Sequence, residues 1–142
     1  MAAALSIPAA IYLLIPPKLR KMLEWADAGD VSKLEPRVPV EMVFRQNRVD
    51  GWKTQSEKTT AWVVKLGDSQ VVANGPQCTH LGCAYHWDDS RNHFLCPRHT
   101  SIFDIDGAVV SGPAPRPLDR YEIKVENGRL LLGPLHPSKE KA

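Results

Sequence analysis

Two short segments constrain this chain more than any other feature: Cys78-Thr79-His80-Leu81-Gly82-Cys83 and Cys96-Pro97-Arg98-His99-Thr100-Ser101. Each offers one cysteine and one histidine, as C-x-H and C-x-x-H, with fifteen residues between His80 and Cys96. Tight loops of this kind, carried between strands, let four side chains converge on one inorganic centre. Thiolate with imidazole suits zinc, iron or copper, so donor type alone does not choose the metal. Order is more informative. Zinc fingers of the two-Cys, two-His type keep like ligands together, whereas here each loop carries one of each. The chain has 3 cysteines, an odd number that cannot all pair within it. That disfavours a secreted disulfide scaffold and favours a metal or redox role.

The segments around these loops read as β. Glu41–Arg45 alternates apolar and polar residues. Thr60–Lys65 and Gln70–Ala73 flank a Gly67-Asp68 turn, and Tyr121–Val125 and Arg129–Leu132 flank Asn127-Gly128, a strong hairpin signal. His93–Leu95, Ile102–Asp104 and Ala108–Val110 are further short strands. Short strands at this spacing predict an antiparallel sandwich or barrel. The 12 prolines and 9 glycines speak against a helical bundle. Asp104-Ile105-Asp106-Gly107 lacks the remaining ligands of a calcium loop and reads as a turn. With 142 residues, the chain has room for one domain and a short appendage. Its net charge of +2, evenly spread, gives no footprint for nucleic acid.

Residues Ala2–Ile15 are almost all apolar. Fourteen helical residues span roughly 21 Å, short of a hydrocarbon core of about 30 Å. The segment fits the outer end of a transmembrane helix, an interfacial anchor or a weak signal-peptide core. Tyr12 and Pro16-Pro17 favour a truncated anchor, and a buried apolar helix is the plain alternative. Leu19, Leu23 and Ala26 have helical spacing, which predicts a short helix over 18–27 that Gly29 stops. Gly29–Pro39, with Pro36 and Pro39, reads as a linker. The expected layout is thus a partial transmembrane anchor at 1–17, a short helix and flexible tether at 18–39, a domain at 40–136 and a polar tail at 137–142.

The alternating ligands, in the words CTHLGC and CPxH, resemble the Rieske iron–sulfur family, and most closely the Rieske subunit of bacterial cytochrome bc-type (menaquinol) quinol–cytochrome c reductases. The resemblance covers roughly residues 40 to 133. It includes Gly112-Pro113-Ala114-Pro115-Arg116-Pro117-Leu118, which looks like the proline loop that closes over the cluster in quinol-oxidising members. It implies an all-β fold, a Rieske-type antiparallel β sandwich or barrel with a small cluster-binding subdomain, preceded here by an N-terminal helical membrane-anchor remnant. It also implies a 2Fe–2S cluster as cofactor, with Cys78 and Cys96 on the buried iron and His80 and His99 on the outer one. His99 resembles the histidine that accepts the quinol hydrogen bond, and Leu81 the apolar residue at the quinol-facing tip. Ser101 matches a serine that donates to a cluster sulfide, and Pro113 and Pro115 belong to the proline loop.

Two ferric ions, two sulfides and two thiolates are formally neutral, whereas four thiolates leave a dianion. Reduction of the neutral centre is easier, with potentials of about −150 to +300 mV against about −400 mV for plant-type ferredoxins. The imidazoles keep a second nitrogen free for a proton, so electron and proton can leave a quinol together. The resemblance therefore implies a redox subunit, not catalytic alone, that passes one electron from quinol to a c-type haem. Cytochrome b-type and cytochrome c-type subunits and membrane quinol are the implied partners. The Rieske domain would lie on the outer face of the bacterial cytoplasmic membrane, held by its N-terminus and swinging on the Gly29–Pro39 tether. Lys18, Arg20 and Lys21 would by themselves argue for a cytoplasmic domain. The alternatives are a soluble Rieske ferredoxin-like carrier for an oxygenase, or a degenerate or zinc-binding module without the cluster.

Two departures from the family stand out. Quinol-oxidising relatives answer CTHLGC with C-P-C-H-G-S, and the extra cysteines form a disulfide. Here position 98 is Arg and position 100 is Thr, which leaves Cys83 without a partner. Either Arg98 is tolerated, its guanidinium bonding loop carbonyls, or the cluster is labile or absent. Phe103 replaces a tyrosine that donates to a ligand sulfur. Its loss implies a lower potential suited to menaquinol, unless Phe103 simply fills core space. His86 and His93 read as surface or hairpin residues and His136 as part of the tail, with Trp52, Trp62 and Trp87 as core aromatics.

Overall fold

The computed structural model describes residues 25–50, 53–67 and 69–138. The expected anchor, residues 18–24 and Trp52 lie outside the described residues. Among the latter are ten strands: β1 Ala26–Asp30, β2 Val40–Asp50, β3 Lys53–Lys65, β4 Val71–Asn74, β5 His86–Asp88, β6 His93–Leu95, β7 Ile102–Phe103, β8 Val109–Ser111, β9 Arg120–Glu126 and β10 Arg129–His136. They form a six-stranded sheet in the order β1-β10-β9-β4-β3-β2 and a four-stranded sheet in the order β5-β6-β7-β8. Every strand pairing is antiparallel. β1 also lies beside β2, so the larger sheet curls into a nearly closed barrel.

Side-chain alternation explains two adjoining cores. On β3 and β4, Ala61, Val63 and Ala73 point into the barrel with Phe44, Tyr121, Leu130 and Leu132. Their neighbours Val64 and Val72 point the opposite way, into a second core with Cys78, Tyr85, Phe94, Cys96, Phe103, Ala114 and Leu118. The unbroken apolar runs of β3 and β4 thus mark strands covered on both faces. The small sheet is the second cover, and Cys78 and Cys96 belong to its core. The β9–β10 hairpin turns at Asn127 (φ 50°) and Gly128 (φ 78°), the pair of left-handed residues a tight two-residue turn requires.

Residues 26–39 correct the expected helix and tether. Ala26–Asp30 is a strand paired with β10, Ala26 opposite Leu132 and Asp30 opposite Arg129, with a bulge around Gly29 (φ 137°). A single 3-10 turn, Val31–Lys33, follows, its N-terminus capped by Asp30 Oδ1 accepting from Ser32 N–H at 2.8 Å. Leu34 is only 5% exposed within the barrel core, and Pro36 bridges to Lys65. The reason is the edge of β10: unpaired, it would leave a row of open backbone donors and acceptors. Pairing there and burying Leu34 outweigh the helical spacing that ends at Ala26. The folded domain therefore begins by Ala26. His136 is likewise the last residue of β10, Nε2 lying 2.8 Å from Glu122 Oε1, and not part of a tail.

Candidate metal centre

Two loops repeat one backbone pattern. In residues 78–83, Cys78 N–H donates to Cys83 O (2.8 Å) and Gly82 N–H to Cys78 O (2.9 Å). In residues 96–101, Cys96 N–H donates to Ser101 O (2.9 Å) and Thr100 N–H to Cys96 O (3.1 Å). The fifth residue of each is left-handed, Gly82 at φ 70° and Thr100 at φ 56°. Ser101 thus occupies in the second loop the place that Cys83 has in the first.

This brings the four sequence-predicted donors together in two pairs. Cys78 and Cys96, each 2% exposed, lie side by side in the small-sheet core. Burial pushes the Cys78 thiol above its usual value and the neighbouring Cys96 adds to the rise, while the His80 backbone N–H opposes it. Thiols so placed ionise readily only when a cation balances them. The imidazoles form the outer pair. His80 is half-buried and His99 exposed, with ring centroids 4.8 Å apart and planes at 84°. Two buried polar atoms here have no hydrogen-bond partner, His80 Nδ1 and the Ser101 hydroxyl. The hydroxyl lies near enough to Cys78 to favour its thiolate without the geometry of a hydrogen bond. Among the described residues, no three His, Cys, Asp or Glu side chains gather about one ion position. The donors are split two and two.

A third loop locks the first two. Gly112 (φ 97°) sits so close to the second loop that a Cβ there would lie 2.6 Å from Ser101 Cα and 2.7 Å from Thr100 O. Thr79 Oγ1 donates to Arg116 O at 2.6 Å, tying the first loop to the third. Arg116 is held by Asp119, and Leu118 N–H donates to Gly107 O at 2.9 Å. Ala114 and Leu118 are buried, while Pro113, Pro115 and a 66% exposed Leu81 form the outer surface. Sequence reading missed Thr79 and Gly112, since only the packing of the loops gives them a role.

Phe103 is fully buried against Tyr85 and Phe94, with ring centroids 6.2 Å from Tyr85. Tyr85 donates its own hydroxyl to Gly75 O at 2.6 Å. Trp62 and Trp87 pack on Phe94 at the same core. Cys83 is a half-buried free thiol. Arg98 is exposed and the expected bonds from its guanidinium to loop carbonyls are not made; among the described residues it has no hydrogen-bond or ion-pair partner. His86 is exposed and His93 half-buried, and both lie on the β5–β6 hairpin.

Residues 24–122 match the family model described as the Rieske [2Fe-2S] domain. The chain belongs to the Rieske family. It is 37% identical, over 99% of its length and 86% of the relative's, to the menaquinol:cytochrome c reductase iron–sulfur subunit of Bacillus subtilis (strain 168). The crystal structure of a plasma-membrane Rieske protein from Synechocystis PCC 6803 superposes with a TM-score of 0.54 at 29% identity, covering 75% of this chain and 96% of that one. A chain of a hyperthermophilic respiratory Complex III gives 0.51 at 28% identity, over 91% and 90%.

The cofactor of this Rieske domain is a 2Fe–2S cluster. Its residues fit that group. A cluster with two thiolate ligands on one iron and two imidazole ligands on the other asks for a buried sulfur pair beside an outer nitrogen pair. The orphaned His80 Nδ1 belongs to that nitrogen pair, and the orphaned Ser101 hydroxyl is a hydrogen-bond donor that such a group would satisfy.

Proposed function

We propose that Cys78 and Cys96 hold the inner iron and His80 and His99 the outer iron of the cluster, and that the domain carries one electron at a time from menaquinol to a c-type haem. The functional class, an electron-transfer subunit of a quinol–cytochrome c reductase, is that of its relatives. The observation that supports the rest is the sorting of donors: sulfurs inside a dry core, imidazoles at a surface rimmed by Leu81, Pro113 and Pro115. When bound, the cluster supplies a one-electron acceptor of relatively high potential.

The chain's own residues do the remainder. His99, exposed, accepts the quinol hydroxyl's hydrogen bond at the ring nitrogen left free by ligation and takes its proton as the electron leaves. Leu81 and the prolines exclude water around that contact, which strengthens the hydrogen bond. The Ser101 hydroxyl would donate toward the cluster and so favour its reduced state. Thr79 and Gly112 keep the three loops in register. Phe103 offers no such donor, in keeping with a low-potential quinol.

The relatives are subunits of membrane complexes. We place this domain on the outer face of the cytoplasmic membrane, held through residues preceding Trp25, alongside cytochrome b-type and cytochrome c-type partners. Among the described residues no helix is long and apolar enough to cross a membrane. Residues 26–30 pair with β10 and Leu34 is buried in the barrel core, so this segment is not a free tether.

An EPR-monitored redox titration of the purified chain, with iron and acid-labile sulfide assays, tests the ligand assignment. Two irons and two sulfides with a reducible signal are expected. A single zinc, or a signal that persists in His99→Ala, sinks it. The free Cys83 favours one second reading, a soluble carrier for an oxygenase. Recovery of the activity in the soluble fraction, without quinol dependence, would establish that instead.

A further inference from the structure

We propose that Arg98 pairs with a carboxylate of the membrane subunit that receives the tip of this domain. The partner's socket is then apolar with one acidic group on its rim. This rests on the reading of the tip as the quinol-facing surface.

The three loops that make the tip carry very little charge. Residues 78–87 contain no Lys, Arg, Asp or Glu; residues 96–101 contain Arg98 alone, and residues 112–118 Arg116 alone. Arg116 is already held by Asp119. The outward side chains Leu81, Pro97, Pro113 and Pro115 are apolar and exposed. Among the described residues Arg98 is thus the one charged side chain of these three loops without a partner, beside exposed apolar side chains.

Its backbone cannot withdraw. Hydrogen bonds from Cys96 N–H to Ser101 O and from Thr100 N–H to Cys96 O close the loop around it, and Gly112 packs directly on Thr100 and Ser101. Arg98 adjoins His99 in the same closed loop, and both side chains are exposed. In water an exposed arginine is unremarkable. Beneath an apolar wall, the same charge without a counter-ion is strongly unfavourable. A carboxylate matches the planar fork of arginine with two parallel hydrogen bonds, and a carboxylate on the rim also speeds approach of the tip.

The intact membrane complex carrying Arg98→Lys, Arg98→Gln or Arg98→Glu tests this, through quinol-dependent cytochrome c reduction at several ionic strengths. The EPR spectrum of the cluster is recorded for each. We expect unchanged spectra, a rate lowered severalfold for R98K, which keeps the charge but not the two parallel hydrogen bonds, and about tenfold lower for R98E. R98Q should show a flatter salt dependence than wild type, and suppressors of R98E should reverse a single Asp or Glu of the partner. Wild-type rate and salt slope in R98E overturn the proposal. If R98E loads its cluster poorly, the same two measurements on R98Q decide. Salt dependence that follows the anionic phospholipid content, and not a partner carboxylate, also overturns it. A wild-type complex with a normal spectrum but no quinol-dependent reduction refutes the functional reading itself, before any substitution at position 98.

Discussion

At position 100 a β-branched residue sits where the matching loop has glycine. Thr100 adopts φ 56° while Gly82 adopts φ 70° in the same hydrogen-bonded setting. A branched side chain in the left-handed region is unfavourable by on the order of 1 kcal/mol or more. Part of that is offset by the Thr100 hydroxyl donating to His99 O at 2.7 Å. Thr100→Gly is expected to stabilise the domain by about 1 kcal/mol or less, read as a rise in melting temperature; a fall would show that the hydroxyl contact outweighs the strain. Cys83 gives a second expectation. It is free and half-buried, so Cys83→Ser should keep its iron and sulfide, whereas Cys78→Ser should lose them. The ligand words were legible in the sequence because each loop carries its donors within four residues. The backbone role of position 100 was not, since nothing in a threonine announces a positive φ.

At the scale of elements, the centre depends on how closely the 112–118 loop seats on the second cluster loop. Gly112→Ala should remove most cluster incorporation, because its Cβ would meet the Thr100–Ser101 backbone at φ 97° and backbone cannot swing aside. The ratio of visible cluster absorbance to protein, alongside the melting temperature, measures this. Tyr85 ties the small sheet to Gly75, and burial pushes its hydroxyl well above the ordinary value of about 10. The unfolded chain ionises first as pH rises. The stability this tyrosine contributes is therefore complete below about pH 10 and lost progressively above it. Thermal melts from pH 8 to 11 should show that limb, and Tyr85→Phe should flatten it after a loss of about 1 kcal/mol from the hydrogen bond. The hairpins at residues 60–73 and 121–132 were readable from alternation and turn residues, with Asn127-Gly128 the clearest. The third loop could be recognised as proline-rich, but its contact with Ser101 belongs to the assembled sheets.

For the molecule as a whole, the decisive difference between sequence and structure lies at residues 26–39. Helical spacing and two prolines suggested a helix end and a tether, and the same residues instead complete the barrel. Ala26 and Leu34 have no sequence neighbour that explains their burial; Leu132 and the barrel core supply it. Removing residues 1–24 should leave a folded, cluster-bearing domain, whereas removing 1–39 should not, as judged by circular dichroism and cluster absorbance. Leu34→Ala should cost about 2–5 kcal/mol in denaturant unfolding; a loss below about 0.5 kcal/mol would mean that the segment only rests on the surface.

Local sequence alone marked two short Cys/His loops within a chain of short strands, because motif spacing and turn chemistry act over a few residues. Tertiary structure alone decided which of the cysteines and histidines lie inside, that residues 26–34 pack onto the barrel, and that Arg98 has no partner among the described residues. Each of those depends on what packs against a residue from far along the chain, and burial is a property that no short stretch of sequence possesses.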